Sequence, residues 1–284
     1  MELVGVVGAG VMGKGIAQNL AQSSYQVVLL DISDEILADA KDEIYNSIRF
    51  QGFFKKSENM EDPDKVVSRI QFSTDYQLLK GAAFVIENVP EKWDIKQEVY
   101  KKIDEICPDQ CIFLVNTSCI SITKVASLTG RPDRIIGAHF MNPVPLMQAV
   151  EVIRGYHTSE VTIGAVGSLL AGMGKECIVV NDYPGFVSNR ISHLFMNEAA
   201  FVVQDQIASP QKVDNIFKKC YGHKMGPLET ADLIGLDTVI NSLDILYESY
   251  QDSKFRCCPL LRKMVDAGLY GRKSGQGFYT YTQV

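Results

Sequence analysis

A C-x-x-C pair occurs nowhere in this sequence, and its four histidines show no ligand-type spacing beside a cysteine. Both absences argue against a zinc site, and no metal is expected. The seven cysteines are an odd number, scattered apart from the neighbours Cys257 and Cys258. Free thiols in a reducing compartment are the simple expectation. No apolar run is long enough to cross a bilayer, and Met1-Glu2-Leu3 enters an apolar strand with no basic region or cleavage site. A cytoplasmic protein, off the membrane, is therefore expected. Positive charge is short as well: 28 Lys and Arg stand against 34 Asp and Glu, a net charge of −6. That balance gives no general attraction for nucleic acid or an anionic surface.

Present instead are length and periodicity. At 284 residues the chain is long for one compact core, so two domains are expected. Leu3–Val7 and Val27–Leu30 are short apolar runs of the kind that form buried parallel strands, with a helical stretch from Gly13 to Gln22 between them. Strand, helix and strand in about thirty residues make a βαβ unit. A long helix is expected over Ile36–Phe54, and a helical stretch resumes near Lys65. Further strands are expected at Ala82–Ile86, Ile112–Val115, Ile135–Ala138, Val150–Ile153 and Glu176–Val180, with a helix at Ile95–Ile106. Such alternation specifies a mainly parallel sheet wrapped by helices, a Rossmann-type α/β domain. After Tyr183-Pro184-Gly185 apolar residues recur only at helical spacing. The expected division is thus residues 1–184, followed by a smaller all-helical domain, 185–284.

Gly8-Ala9-Gly10-Val11-Met12-Gly13 matches G-x-G-x-x-G directly after the first strand. In that context Gly8 permits a tight turn, Gly10 admits a pyrophosphate, and Gly13 lets helix and strand pack closely. The start of the helix that follows, with Val11 and Met12 of the fingerprint before it, presents amides to phosphate. Asp31 ends the second strand; its carboxylate can accept from ribose hydroxyls and repels a 2′-phosphate, and neither Ile32 nor Ser33 offers a compensating charge. The cofactor expected is NAD rather than NADP. The bland alternative is a glycine-rich turn with an acidic cap.

Four further segments carry a resemblance. They are Asn116-Thr117-Ser118-Cys119; His139-Phe140-Met141-Asn142-Pro143 with Val150-Glu151-Val152; Pro184-Gly185-Phe186-Val187-Ser188-Asn189-Arg190; and the closing Gly271–Tyr279. In order and spacing they resemble the L-3-hydroxyacyl-CoA dehydrogenase family, over nearly the whole chain. The resemblance implies four residues around the reacting carbon: Ser118, His139, Glu151 and Asn189. Histidine titrates near neutrality and suits the base that takes the hydroxyl proton. A carboxylate such as Glu151 fixes its tautomer, while Ser118 and Asn189 bind the substrate oxygen. The resemblance also implies cofactor contacts from Glu91, Lys96 and Asn116, a substrate arm ending at Lys55 and Lys56 beside coenzyme A phosphates, and a homodimer formed by the helical domain, to which Leu236, Val239, Ile240, Leu243 and Leu246 could contribute if they do not fill its own core. Taken singly each catalytic residue has a plainer use: Ser118 and Asn189 as helix caps, His139 in the core, Glu151 on an edge strand.

Where the match weakens, the substrate stays open. Cys119 replaces a usual serine, Gln148-Ala149 a usual Lys-Leu, and Arg49–Lys56 is rich in aromatics. The acyl group could ride on coenzyme A or on an acyl carrier protein, as in polyketide or nonribosomal peptide precursor synthesis. A catalytically silent, crystallin-like NAD-binding protein and a dehydrogenase of a free sugar acid are the alternatives of other kinds.

Overall fold

The computed structural model describes residues 2–54 and 61–281. The chain divides into two compact units, one ending at Asp182 and the other starting at Tyr183.

The first unit is built on an eight-stranded sheet. Its elements run β1 (Leu3–Val7), α1 (Val11–Gln22), β2 (Gln26–Leu30), α2 (Asp34–Phe54), α3 (Pro63–Val67), β3 (Ile70–Ser73), β4 (Phe84–Glu87), α4 (Trp93–Ile106), β5 (Ile112–Val115), α5 (Ile122–Ala126), β6 (Ile135–His139), β7 (Ala149–Arg154), α6 (Glu160–Gly172) and β8 (Glu176–Asn181). The strand order is β3-β2-β1-β4-β5-β6-β7-β8. All neighbours are parallel except β6 and β7. The order reverses between β1 and β4, which opens a crevice at their carboxyl ends. The inner strands are mostly apolar, as a sheet covered on both faces requires: Val4, Val6, Leu29, Leu30, Val85 and Leu114 are all buried.

The strand β3 has no counterpart in the sequence reading. Ile70 is its one buried side chain, so the edge position leaves almost no apolar signal. The reversal at β7 is equally silent in the sequence, because a short connection through a 3₁₀ turn at Val144–Leu146 looks like any other loop.

The second unit is helical: α7 (Ser188–Gln204), α8 (Pro210–Cys220), α9 (Pro227–Ile234), α10 (Leu236–Tyr250) and α11 (Pro259–Asp266). Among its described residues only isolated bridges at Gly271, Gln276 and Thr280 add strand-like pairing. Leu236, Val239, Ile240 and Leu243 belong to the buried core cluster of this unit, and Leu246 is buried too, so of the two uses left open the structure shows the core for the first four. The segment at 227–234 is a helix with Pro227 at its first position and Glu229 closing on the Gly226 amide. Two buried carboxylates tie the unit together. Asp214 accepts from the amides of Leu228 and Glu229, both at 2.9 Å, and from the Tyr279 hydroxyl at 2.6 Å. Asp232 accepts from the Phe278 and Tyr279 amides and the Tyr281 hydroxyl, each at 3.0 Å. The closing Gly271–Tyr279 motif is therefore a strap fastened on Asp232.

Among the described residues, no helix is long and apolar enough to cross a membrane, and no cluster of three or more His, Cys, Asp or Glu could hold a metal ion.

Candidate active site

The glycine loop follows β1 at the crevice. Gly8 has φ +96°, and a Cβ there would stand 2.8 Å from the Asn88 carbonyl oxygen. A Cβ on Gly13 would fall 1.7 Å from the Gly8 oxygen, so helix and loop pack in a way only glycine allows. Gly10 faces open space, and as the residue before α1 it contributes no side-chain cap. The first amides of α1, at Val11 and Met12, are thereby left for an anion. The Asp31 carboxylate returns to the loop: one oxygen accepts from the Ala9 amide at 2.5 Å, the other from the Ile32 amide at 2.7 Å. A groove of about 530 Å³ runs past Gly8, Gly10 and Asp31 between the apolar walls Ile32, Ile36 and Tyr76. Open backbone for phosphates, a carboxylate for a ribose and an apolar slot for a base are the parts that NAD requires.

The ends of β4 and β5 carry a buried polar network. Glu87 and Lys96 have no accessible side-chain surface. The Lys96 Nζ donates to both Glu87 oxygens, at 2.9 and 2.8 Å, and to the Asn116 carbonyl at 3.2 Å. Burial pushes the Glu87 carboxyl above its usual range although Lys96 pulls it down, and burial together with Glu87 pushes the Tyr100 hydroxyl well up. Glu91 gathers the next loop: one of its oxygens accepts from the Ser118 and Cys119 amides, each at 3.1 Å, and from the Thr117 hydroxyl. The Asn116 side chain links three strand ends, donating to Asn88 at 2.7 Å and accepting from the Phe140 amide at 3.3 Å. With its three protons facing protein acceptors, Lys96 shapes the crevice from behind. Glu91 lies between that network and the loop bearing Ser118.

The register of β6 and β7 sets His139 directly opposite Glu151. Their side chains meet, Nδ1 to a carboxylate oxygen at 3.0 Å. The other ring nitrogen, Nε2, lies 3.4 Å from the Ser118 Oγ. A carboxylate accepts only, so Nδ1 carries the proton and Nε2 presents its lone pair toward Ser118. His139 is nearly buried, 7% exposed. Three of the four residues expected around the reacting carbon, Ser118, His139 and Glu151, are thus brought together by strand ends of the first unit.

Asn189 belongs to the second unit. It is the second residue of α7, and its carbonyl accepts from His193 Nδ1 at 2.9 Å. Lys55 and Lys56 lie outside the described residues.

Sequence reasoning missed several groups that hold this site. Thr117 is buried, and its hydroxyl accepts from the Ile120 amide at 2.9 Å. Asp182 accepts from the Ser121 hydroxyl and the Thr123 amide, both at 2.8 Å, which pins the start of α5. Lys124 rests over the Trp93 ring at 3.9 Å. Only Thr117 had a visible signal, its place inside the Asn116-Thr117-Ser118 run; the others act across long sequence separations.

Comparison with known proteins identifies the family. The family model for 3-hydroxyacyl-CoA dehydrogenase matches in both parts, its NAD binding domain over residues 3–183 and its C-terminal domain over 185–281. A probable 3-hydroxybutyryl-CoA dehydrogenase of Deinococcus radiodurans is 46% identical over 98% of this chain and 99% of its own. The mitochondrial hydroxyacyl-coenzyme A dehydrogenase of Sus scrofa is 37% identical over 98% of this chain and 90% of its own. The crystal structure of (S)-3-hydroxybutyryl-CoA dehydrogenase from Ralstonia eutropha superposes with a TM-score of 0.96 at 43% identity, covering 100% of each chain. A Rossmann-type sheet with an NAD groove, a helical unit that follows it in the chain and a family match that runs through both place this chain in the 3-hydroxyacyl-CoA dehydrogenase family.

Proposed function

We propose that the chain interconverts a short-chain 3-hydroxyacyl-CoA and its 3-oxoacyl-CoA, with NAD as the redox partner. The observation that carries this reading is the His139–Glu151 pair, with Nε2 turned to Ser118. NAD, when bound, supplies the hydride acceptor at the substrate C3. Gly8, Gly10, Val11, Met12, Gly13 and Asp31 would hold it, and Asn116, Glu91 and Lys96 shape its nicotinamide side.

The chain's own residues supply the proton chemistry. Hydride cannot leave C3 unless the hydroxyl proton leaves as well. His139 Nε2 takes that proton, and Glu151 stabilises the imidazolium that results. In the reverse direction the imidazolium returns the proton to the oxyanion. The Ser118 hydroxyl donates to the substrate oxygen and holds it beside Nε2. Asn189, carried over by resemblance, is proposed as the second donor to that oxygen.

Coenzyme A as the carrier is supported by the names of the relatives, and a short acyl chain by the hydroxybutyryl enzymes among them. The homodimer is proposed with support from apolar side chains on the surface of the second unit, Ile191 and Leu233 among them, at 63% and 50% exposure. Light scattering at micromolar concentration should give twice the chain mass; a monomer mass would remove that proposal.

The deciding assay is NADH consumption with acetoacetyl-CoA, run beside a carrier-protein thioester of the same acyl group. Turnover of the coenzyme A substrate that is lost in His139→Gln supports the proposal. Turnover of the carrier-bound substrate alone, or of neither, refutes it.

A further inference from the structure

We propose that Lys175 is a positioning residue: it fixes the turn between β6 and β7 against α1, and so sets the depth of the His139–Glu151 pair beside the cofactor groove. The inference rests on the function proposed above.

Lys175 stands just before β8 and is 6% exposed. Its Nζ donates to the Val144 carbonyl at 2.6 Å and to the Met147 carbonyl at 2.7 Å. These two acceptors bracket the 3₁₀ turn at Val144–Leu146. The Val144 carbonyl already accepts from the Met147 amide at 3.3 Å, and the ammonium ties that oxygen to the Met147 carbonyl as well. The neighbouring Glu176 amide donates to the Gln148 carbonyl at 2.7 Å, which continues the seam into β7. On its opposite side the turn lies on the pyrophosphate helix. Val144 is 1% exposed, and a Cβ placed on Gly15 would stand 3.1 Å from the Val144 Cβ. Only Phe140–Pro143 separate His139 from this turn, and Gln148–Val150 separate the Met147 carbonyl from Glu151. The ammonium thus clamps the one piece of backbone that joins the proposed base, its carboxylate partner and the cofactor helix.

A contribution to stability alone is a poor account of this lysine. Burial lowers its pKa. An apolar chain of equal length would fill the same space without desolvating a charge. What it could not do is hold two carbonyls in a fixed geometry, and displacements near 1 Å at a reacting centre can change rates by about a hundredfold.

The test is a single turnover, enzyme and NADH in excess over acetoacetyl-CoA, in wild type, Lys175→Met, Lys175→Arg and His139→Gln. With folded enzyme at a saturating concentration, shown by an unchanged first-order rate constant of NADH loss when it is doubled, that constant does not depend on how much has folded. Lys175→Met should lower it by about tenfold or more, with NADH affinity within about twofold of wild type. Lys175→Arg, which keeps donors for the turn, should recover part of the loss. A Lys175→Met rate constant within about twofold of wild type overturns the inference, whatever the yield. Should Lys175→Met give no folded protein, Lys175→Arg decides: its longer, planar head must shift the turn and lower the rate constant, and an unchanged constant overturns the inference. Failure of wild type to turn over, or full activity in His139→Gln, would instead refute the function itself.

Discussion

Glu151 faces His139 across the one antiparallel pair in the sheet. That reversal is what makes the pairing possible. The short return through the Val144–Leu146 turn brings the carboxylate back alongside the ring, 3.0 Å from Nδ1, while both side chains stay within a tenth of full burial. A parallel neighbour would need a crossover of a dozen residues or more.

Glu151→Gln should test that pairing with little change in shape. An amide can donate to Nδ1 and so favour the tautomer with the proton on Nε2, which cannot act as base. It also removes the charge that steadies the imidazolium. We expect kcat for acetoacetyl-CoA reduction to fall by about 10²- to 10⁴-fold, with a small change in KM. A kcat within about threefold of wild type would show that Glu151 does not serve His139.

How much of this was legible in advance follows from range. The glycine loop and Asp31 are a local pattern tied to one βαβ unit, so sequence alone located the groove. The quartet was legible only through resemblance, because nothing local links Ser118 to a histidine 21 residues on. The roles of Lys96 and Lys175 were hidden for the opposite reason. A lysine in a helical or edge segment reads as solvated, yet each has its head enclosed by oxygens, Glu87 and Asn116 in one case and two turn carbonyls in the other. Burial of a charge is decided by tertiary packing, which leaves no periodic mark.

The Glu87–Lys96 pair makes a second prediction. Lys96→Met strands a carboxylate in the interior and should cost about 3–5 kcal/mol, reduced to the extent that Glu87 takes up a proton. Adding Glu87→Gln should restore part of that, since a neutral amide still accepts from the Val89 amide, now 2.7 Å from the carboxylate. Burial already raises the Glu87 pKa in the presence of Lys96, and without Lys96 it rises further. A carboxyl whose folded pKa lies above its unfolded one loses stability as pH rises from the unfolded value toward the folded value. Lys96→Met should therefore be more damaging at about pH 8 than at about pH 5. Denaturant unfolding followed through Trp93, the sole tryptophan and the first residue of α4, measures both effects. Equal losses at the two pH values would contradict this account.

A surface cluster predicts the opposite sign. Glu61 bonds to Arg69, at 2.6 Å through one oxygen, and to Lys65 at 3.0 Å. These cations hold its carboxyl down from 4.5 to about 2. Its contribution is thus present above the unfolded pKa and is lost as pH falls toward about 2. Glu61→Gln should lower the melting temperature at about pH 6, and the gap to wild type should close on acidification. The gap should also narrow in high salt, as it does for exposed pairs. A gap independent of pH would assign the effect to packing.

Cofactor choice turns on Asp31. Its oxygens are fixed by the Ala9 and Ile32 amides, so the carboxylate cannot swing away from a 2′-substituent on the adenosine ribose. Two like-charged groups held close in a partly enclosed groove repel strongly, and the ribose hydroxyls lose their acceptor if the carboxylate is removed. Asp31→Ser should act on both sides of the comparison: kcat/KM for NADH falls about tenfold or more, while that for NADPH rises or holds. The ratio of the two, measured with the same acyl-CoA, should therefore drop by well over about tenfold. An equal fall with both cofactors would mean that Asp31 supports the loop but does not select the cofactor.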